Sequence, residues 1–100
     1  MEEPKKTEKI WYIYMIRCAD NSLYTGITTD VGRRFQTHQK GKGAKYLKTR
    51  KPFKLVFQQA VGDRSQASKV EYKAKRLPKS KKEQVVTGVL DLLAACQIES

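Results

Sequence analysis

The sequence predicts a small two-layer α+β domain with the element order β-β-α-β-α-α-α. Three patterns carry that expectation. Residues 10–18 and 23–28 are rich in aromatic and β-branched side chains and are joined by the turn cluster Asp20-Asn21-Ser22, which is how a β-hairpin reads. Residues 53–61 alternate through Leu55 and Phe57, as a third strand would. The stretches beginning near residues 28 and 63 each open on capping side chains and continue at helical spacing.

Taken in order, residues 1–9 mix Glu and Lys around Pro4 and read as a disordered leader. The first strand sets Trp11, Ile13 and Met15 on one face and Tyr12, Tyr14 and Ile16 on the other, so it should be covered on both sides. Thr28-Thr29-Asp30 supply caps for a helix over 31–39, where Gly32 in the first turn costs roughly 1 kcal/mol against alanine. Gly41 and Gly43 stop this helix and open a basic loop that reaches Pro52. Asp63 with Gln66 three positions on resembles a capping box, and it opens a helix whose Ala67, Val70, Ala74 and Leu77 share a face. Pro78 ends that helix, because the residue before a proline avoids the helical region. Ser80 is the expected cap of the next one, which carries Val85 and Val86. Thr87-Gly88 breaks the path before an apolar helix over 89–96. The expected organisation is a leader over 1–9, one domain over 10–86, and a C-terminal helix and tail over 87–100 packed on that domain.

One hundred residues allow one core and leave little room for a buried cofactor pocket. The formal net charge is +11, and its distribution is uneven. Residues 31–62 contain no Asp or Glu, while Arg33, Arg34, Lys40, Lys42, Lys45, Lys48, Arg50, Lys51 and Lys54 are all basic. Residues 64–82 add further cations around a single acid, Glu71. Exclusion of acids from a continuous half of the chain favours nucleic acid as partner over lysines that serve only solubility. A membrane surface fits poorly, because residues 40–54 offer glycines and scattered lysines in place of an amphipathic helix. The apolar run over 10–16 is far short of a membrane span, and no signal peptide is evident. Cys18 and Cys96 are too few for a zinc site or a disulfide framework and read as small buried hydrophobes of a cytosolic protein.

Arg34 and His38 lie four apart on the expected helix, so they project from one face toward the Tyr24 strand. A guanidinium offers fixed donors to a phosphoryl group whose charge grows in the transition state. An imidazole could shuttle a proton or bind a non-bridging oxygen. Equally, both residues suit an ordinary exposed basic helix. Tyr14 and Tyr24 could meet across the hairpin, either as catalytic phenols or as packing residues that strands favour. A catalytic phenol needs a nearby cation or polarised water to bring it down from about 10. Glu71, beside Val70 on the inward edge of its helix, could hold one Mg²⁺ or Mn²⁺ with water and substrate phosphate completing the shell. Its plainer role is an ion pair with Lys75 one turn on. Asp20, Asp30 and Asp63 read as turn or cap residues.

Together, Tyr12-Ile13-Tyr14, Tyr24-Thr25-Gly26, the run from Thr28 through Arg34 and Phe35 to His38, Gly41-Lys42-Gly43-Ala44-Lys45, Gly62-Asp63-Arg64-Ser65 and Glu71-Tyr72 form a specific combination. The chain resembles the GIY-YIG nuclease family over roughly residues 10–84, most closely its small stand-alone bacterial members, the YhbQ-like proteins. That resemblance implies a three-stranded antiparallel sheet flanked by helices and a one-metal cleavage of phosphodiester bonds. Carried over, Tyr24 would be the general base or its relay, and Tyr14 would support it. Arg34 would stabilise the phosphorane-like charge, and His38 would orient the phosphate or share the proton work. Glu71 would ligate the metal, and Gly26 would let backbone approach the site. Arg33, Lys40, Lys42, Lys45, Lys48, Arg50 and Lys75 would track the nucleic-acid backbone. The pattern departs from the family in Tyr12 for Gly, in Thr25 for Ile, and in having no asparagine after Asn21. The expected activity is a metal-dependent endonuclease of low sequence specificity on DNA, in repair or recombination by analogy, with branched, single-stranded and RNA substrates open. A protein partner would supply specificity. The competing expectation is a non-catalytic nucleic-acid-binding module.

Overall fold

The computed structural model describes residues 9–47 and 49–96. Residues 1–8 of the expected leader, the expected backbone contact Lys48, and residues 97–100 of the expected tail lie outside the described residues. Strands β1 (Trp11–Arg17), β2 (Leu23–Thr28) and β3 (Lys54–Gly62) form one antiparallel sheet in the order β2-β1-β3. Helix α1 (Val31–Gln39) follows β2, and a short 3₁₀ turn over Lys45–Leu47 interrupts the loop to β3. Helices α2 (Arg64–Lys75), α3 (Lys79–Thr87) and α4 (Leu92–Cys96) follow β3.

The central position of β1 follows from its two apolar faces. Ile13 and Met15 pack in one cluster with Val70 and Ala74 of α2, Val85 of α3, and Leu92 and Cys96 of α4. Tyr14, Ile16 and Cys18 pack on the other face with Val31 of α1 and Leu47 of the loop. Fully burying a side chain such as Ile13 or Ile16 contributes about 1.5–3 kcal/mol, so misplacing this strand would be costly. The register between β1 and β3 shifts at Trp11/Tyr12 and Met15/Ile16. The second irregularity lets the consecutive Val56 and Phe57 both pack against the first cluster. Cys18 and Cys96 are free and buried. Among the described residues no helix is long and apolar enough to cross a membrane.

The termini of the elements have local causes. Ser22 closes the hairpin turn on Asp20, donating its N–H (3.0 Å) and its hydroxyl (2.6 Å) to Asp20 Oδ1, with Asn21 at φ 71°. Asp30 caps α1 by accepting the Arg33 N–H at 3.1 Å. Asp63 and Gln66 form the full capping box of α2, at 2.9 and 3.0 Å.

Two expected boundaries differ. Pro78, not Ser80, stands at the N-cap of α3, with no side-chain cap bond, because its φ of −61° already suits a helix entry. The last helix begins at Leu92, not at residue 89. Val89 and Leu90 instead donate their N–H groups to Gln84 O at 2.9 and 3.1 Å and close α3 past Gly88, whose φ is 85°. Asp91 then caps α4 through the Ala94 N–H at 3.0 Å. Helix α3 is tied to the sheet by a contact no local pattern announces. Arg17 donates to both carboxylate oxygens of Glu83, at 2.6 and 2.7 Å, and Lys79 adds a third bond at 2.7 Å.

Candidate active site

Four elements bring the expected site residues together. In the hairpin register Tyr14 faces Gly26 and Ile16 faces Tyr24, so the two phenols are diagonal neighbours on one face of the sheet. Their ring centroids lie 6.3 Å apart with the planes tilted by 47°. Gly26 makes this possible. A Cβ there would sit 2.6 Å from the Tyr14 hydroxyl, closer than real Cβ atoms approach a neighbour, so the close approach at this glycine is made by a phenol.

Helix α1 lays His38 against both tyrosines. Its ring centroid is 6.0 Å from that of Tyr14 and 5.5 Å from that of Tyr24, the latter edge-on. His38 Nε2 is 2.9 Å from the Tyr14 oxygen, and His38 Nδ1 accepts the backbone N–H of Ala44 at 3.3 Å. That second bond assigns the tautomer. With Nδ1 accepting, the ring proton sits on Nε2, which donates to the Tyr14 oxygen. Burial, and then the Arg34 charge, hold His38 below its ordinary value, so the ring is neutral near pH 7. Gly43 protects the arrangement, since any Cβ there would run into the imidazole.

Arg34, one turn earlier on α1, acts on the same hydroxyl, and its guanidinium favours the ionised form of Tyr14. The Tyr14 oxygen therefore accepts from His38 and lies within the influence of Arg34. Burial nevertheless outweighs the arginine, and Tyr24 and Glu71 further oppose ionisation, so Tyr14 is pushed up to about 12. Tyr14 is a permanent phenol at neutral pH and not a base. Its influence from Glu71 puts the acid of α2 within electrostatic reach of the tyrosines. Lys75 pairs with Glu71 Oε2 at 3.2 Å, and the carboxylate side chain keeps 25% of its surface exposed.

Two cavities flank this cluster. One of about 300 Å³ is lined by Lys9, Thr28, Thr29, Asp30, Arg33, Arg34 and Thr37. The other, about 290 Å³, is lined by Leu23, Tyr24, Thr25, Lys75 and Lys82.

Residues 10–84 match the GIY-YIG family, described as the GIY-YIG catalytic domain. The chain belongs to the GIY-YIG family. It is 53% identical over 90 residues to UPF0213 protein YhbQ of Escherichia coli strain K12, covering 87% of this chain and 90% of that protein. A UPF0213 protein of Cronobacter sakazakii is 56% identical over 80 residues, covering 80% and 84% of the two chains. Among solved structures, UPF0213 protein BH0048 of Bacillus halodurans is similar at a TM-score of 0.51 and 47% identity, over 78% of this chain and 83% of that one. The E. faecalis protein EF2693 is similar at a TM-score of 0.57 and 36% identity, over 81% and 86%. Membership points to nuclease chemistry and to nucleic acid as the partner class.

Within this GIY-YIG site, Tyr14, Tyr24, Gly26, Arg34 and His38 form one cluster, with Glu71 in reach from α2. Of the expected backbone contacts, Arg33, Lys40, Lys42 and Lys45 are exposed. Lys75 is engaged with Glu71, and Arg50 reaches Asp20 at 3.4 Å, tying the basic loop to the hairpin turn. Among the described residues no three His, Cys, Asp or Glu side chains gather to hold a metal. Glu71 alone still fits a cation such as Mg²⁺, which keeps several waters and needs few protein oxygens. Two contributors had no side-chain signal in the sequence. The Ala44 amide is backbone, and Lys82 belongs to a helix that only tertiary packing brings beside Tyr24.

Proposed function

We propose that the protein is a divalent-cation-dependent endonuclease that hydrolyses phosphodiester bonds in DNA with low sequence selectivity. The observation that carries this reading is the hydrogen bond between His38 and Tyr14, with the Arg34 guanidinium acting on the same hydroxyl and Tyr24 packed against the group. Tyr14 stays protonated and acts as a hydrogen-bonding pivot, which leaves Tyr24 as the phenol beside the substrate. In the reaction a water oxygen attacks phosphorus, Tyr24 relays its proton to solvent, and the bond to the ribose oxygen breaks as that oxygen leaves and takes up a proton from solvent. Arg34 opposes the charge that builds on the phosphoryl oxygens, where a fixed guanidinium is most effective. His38 is 1% exposed and serves as a positioning residue behind Tyr14. Glu71 would hold Mg²⁺ or Mn²⁺, which supplies Lewis-acid polarisation of the phosphate.

The second reading, a non-catalytic nucleic-acid-binding module, is favoured by one observation. Glu71 is already ion-paired to Lys75. Purified protein incubated with supercoiled plasmid and Mg²⁺ or Mn²⁺ separates the two. Nicking should occur, should stop with EDTA, and should fall by about 100-fold or more in Tyr24→Phe, Arg34→Ala and Glu71→Ala. Cleavage persisting in all three variants would assign the activity to a contaminant. No cleavage, with salt-sensitive DNA binding that weakens in Arg34→Ala, would establish the binding module.

A further inference from the structure

The cavity that Tyr24 lines and Arg34 does not is built like an anion site. It lies at the open edge of the sheet, because β2 is an outer strand paired only with β1. Its lining joins Tyr24 and Thr25 of β2 to Lys75 at the end of α2 and Lys82 of α3. No carboxylate belongs to that lining. Lys75 is shared with Glu71, but Lys82 has no carboxylate partner among the described residues. Lys82 is also partly buried, and burial together with the neighbouring Lys75 pushes its ammonium below the ordinary value. Two neighbouring ammonium groups of which only Lys75 has an acid partner are an unfavourable arrangement. Thr25 adds a second unmet demand. It is 3% exposed, and its hydroxyl finds no hydrogen-bond partner among the described residues. An unpaired ammonium and an orphaned hydroxyl on residues lining one cavity are relieved together by an anion with several acceptor oxygens.

Position then selects the anion. Glu71 and Lys75 are four positions apart on α2, about 6 Å along its axis. A chain that presents one phosphate to Tyr24, Arg34 and Glu71 therefore has a neighbouring phosphate within reach of Lys75 and Lys82. We propose that the cavity lined by Tyr24, Thr25, Lys75 and Lys82 is a second phosphate subsite, which holds the backbone phosphate adjacent to the one at Tyr24 and Arg34. This rests on the reading of the site as one that binds nucleic-acid backbone. It gives Lys82 a specific place: it sets the register of the strand in the cleft without touching the reacting atoms.

The test uses thymidine 3′,5′-bisphosphate against thymidine 5′-monophosphate, titrated into the full chain without divalent cation and followed by amide chemical shifts. The bisphosphate should bind about tenfold tighter, corresponding to one extra charge-assisted contact. It should shift the amides of Thr25 and Lys82 together with those of Tyr24 and Arg34. Lys82→Gln should abolish the advantage while leaving monophosphate affinity and the folded spectrum unchanged, and Lys82→Arg should restore it. Equal affinity for the two nucleotides in the wild type, or an advantage that survives in Lys82→Gln, would overturn the subsite. Plasmid cleavage is scored separately. A bisphosphate advantage in a protein that does not cut would keep the subsite and overturn the nuclease reading, whereas cutting without the advantage would do the reverse.

Discussion

Tyr14 is the residue on which the site turns, and its chemistry is set by groups far away in the chain. A phenol hydrogen-bonded by an imidazole and influenced by a guanidinium would ordinarily ionise more readily, yet burial wins and holds it at about 12. His38 pays a related cost, because the site needs it neutral. Its folded value lies below the ordinary 6.5, so the unfolded chain takes up the proton first. The stability linked to this histidine is complete above that ordinary value and falls as pH drops below it toward the depressed folded value. The urea midpoint of the wild type should therefore decrease between about pH 7.5 and pH 5.5. In His38→Gln that part of the pH dependence should vanish, although the variant is less stable overall for want of the same packing. A slope unchanged in His38→Gln would mean that another group titrates in this range.

At the scale of elements, short local signals decide where strands and helices begin, and a few distant contacts decide how they sit. The capping box of Asp63 and Gln66 is local and starts α2 as written. The Arg17–Glu83 pair is not local: it joins the end of β1 to the middle of α3 across 66 positions. Arg17 and then Lys79, through hydrogen bonds, hold Glu83 at about 2. Because that folded value is depressed, the contribution is present above the ordinary carboxylate range and is lost as pH falls from there toward about 2. Both side chains keep about a quarter of their surface exposed, at 26% and 28%, so solvent weakens the attraction. A double-mutant cycle with Arg17→Met and Glu83→Gln should give a coupling of about 0.5–1 kcal/mol near pH 7. The coupling should be smaller near pH 3. Coupling indistinguishable from zero at both pH values would leave α3 held by the packing of Val85 and Val86.

On the scale of the whole molecule, charge and shape divide the labour. The sheet is covered on both faces, and the chemistry collects at the side where β2, α1 and α2 meet. A net charge of +11 surrounds it, with residues 31–62 free of acids. Binding to duplex DNA should therefore weaken steeply between about 50 and 200 mM salt. Neutralising Arg33 or Lys42, both exposed, should reduce the log–log slope by about one each and weaken binding alike across unrelated sequences. Fluorescence anisotropy over a salt series measures both quantities. Loss of affinity for one sequence only would mean base readout in place of backbone tracking.

The fold was legible because its signals are local and periodic. The two apolar faces of residues 11–16, the Asp20-Asn21-Ser22 turn, and the caps at Asp30 and Asp63 each specify an element within a few residues. The cluster of Tyr14, Tyr24, Arg34 and His38 was legible by spacing and by resemblance to its family. The Ser80 and residue-89 boundaries differ because Pro78 presets the entry of α3 through its φ, and because Val89 and Leu90 close α3 before Asp91 caps α4. Sequence alone determined the element order, the basic half and the tyrosines, arginine, histidine and acid of the candidate site. Tertiary structure alone decided that Tyr14 stays protonated, which nitrogen of His38 bears the proton, and that Lys82 lines a cavity with Tyr24. Those outcomes depend on burial and on partners many positions away, and local sequence records neither.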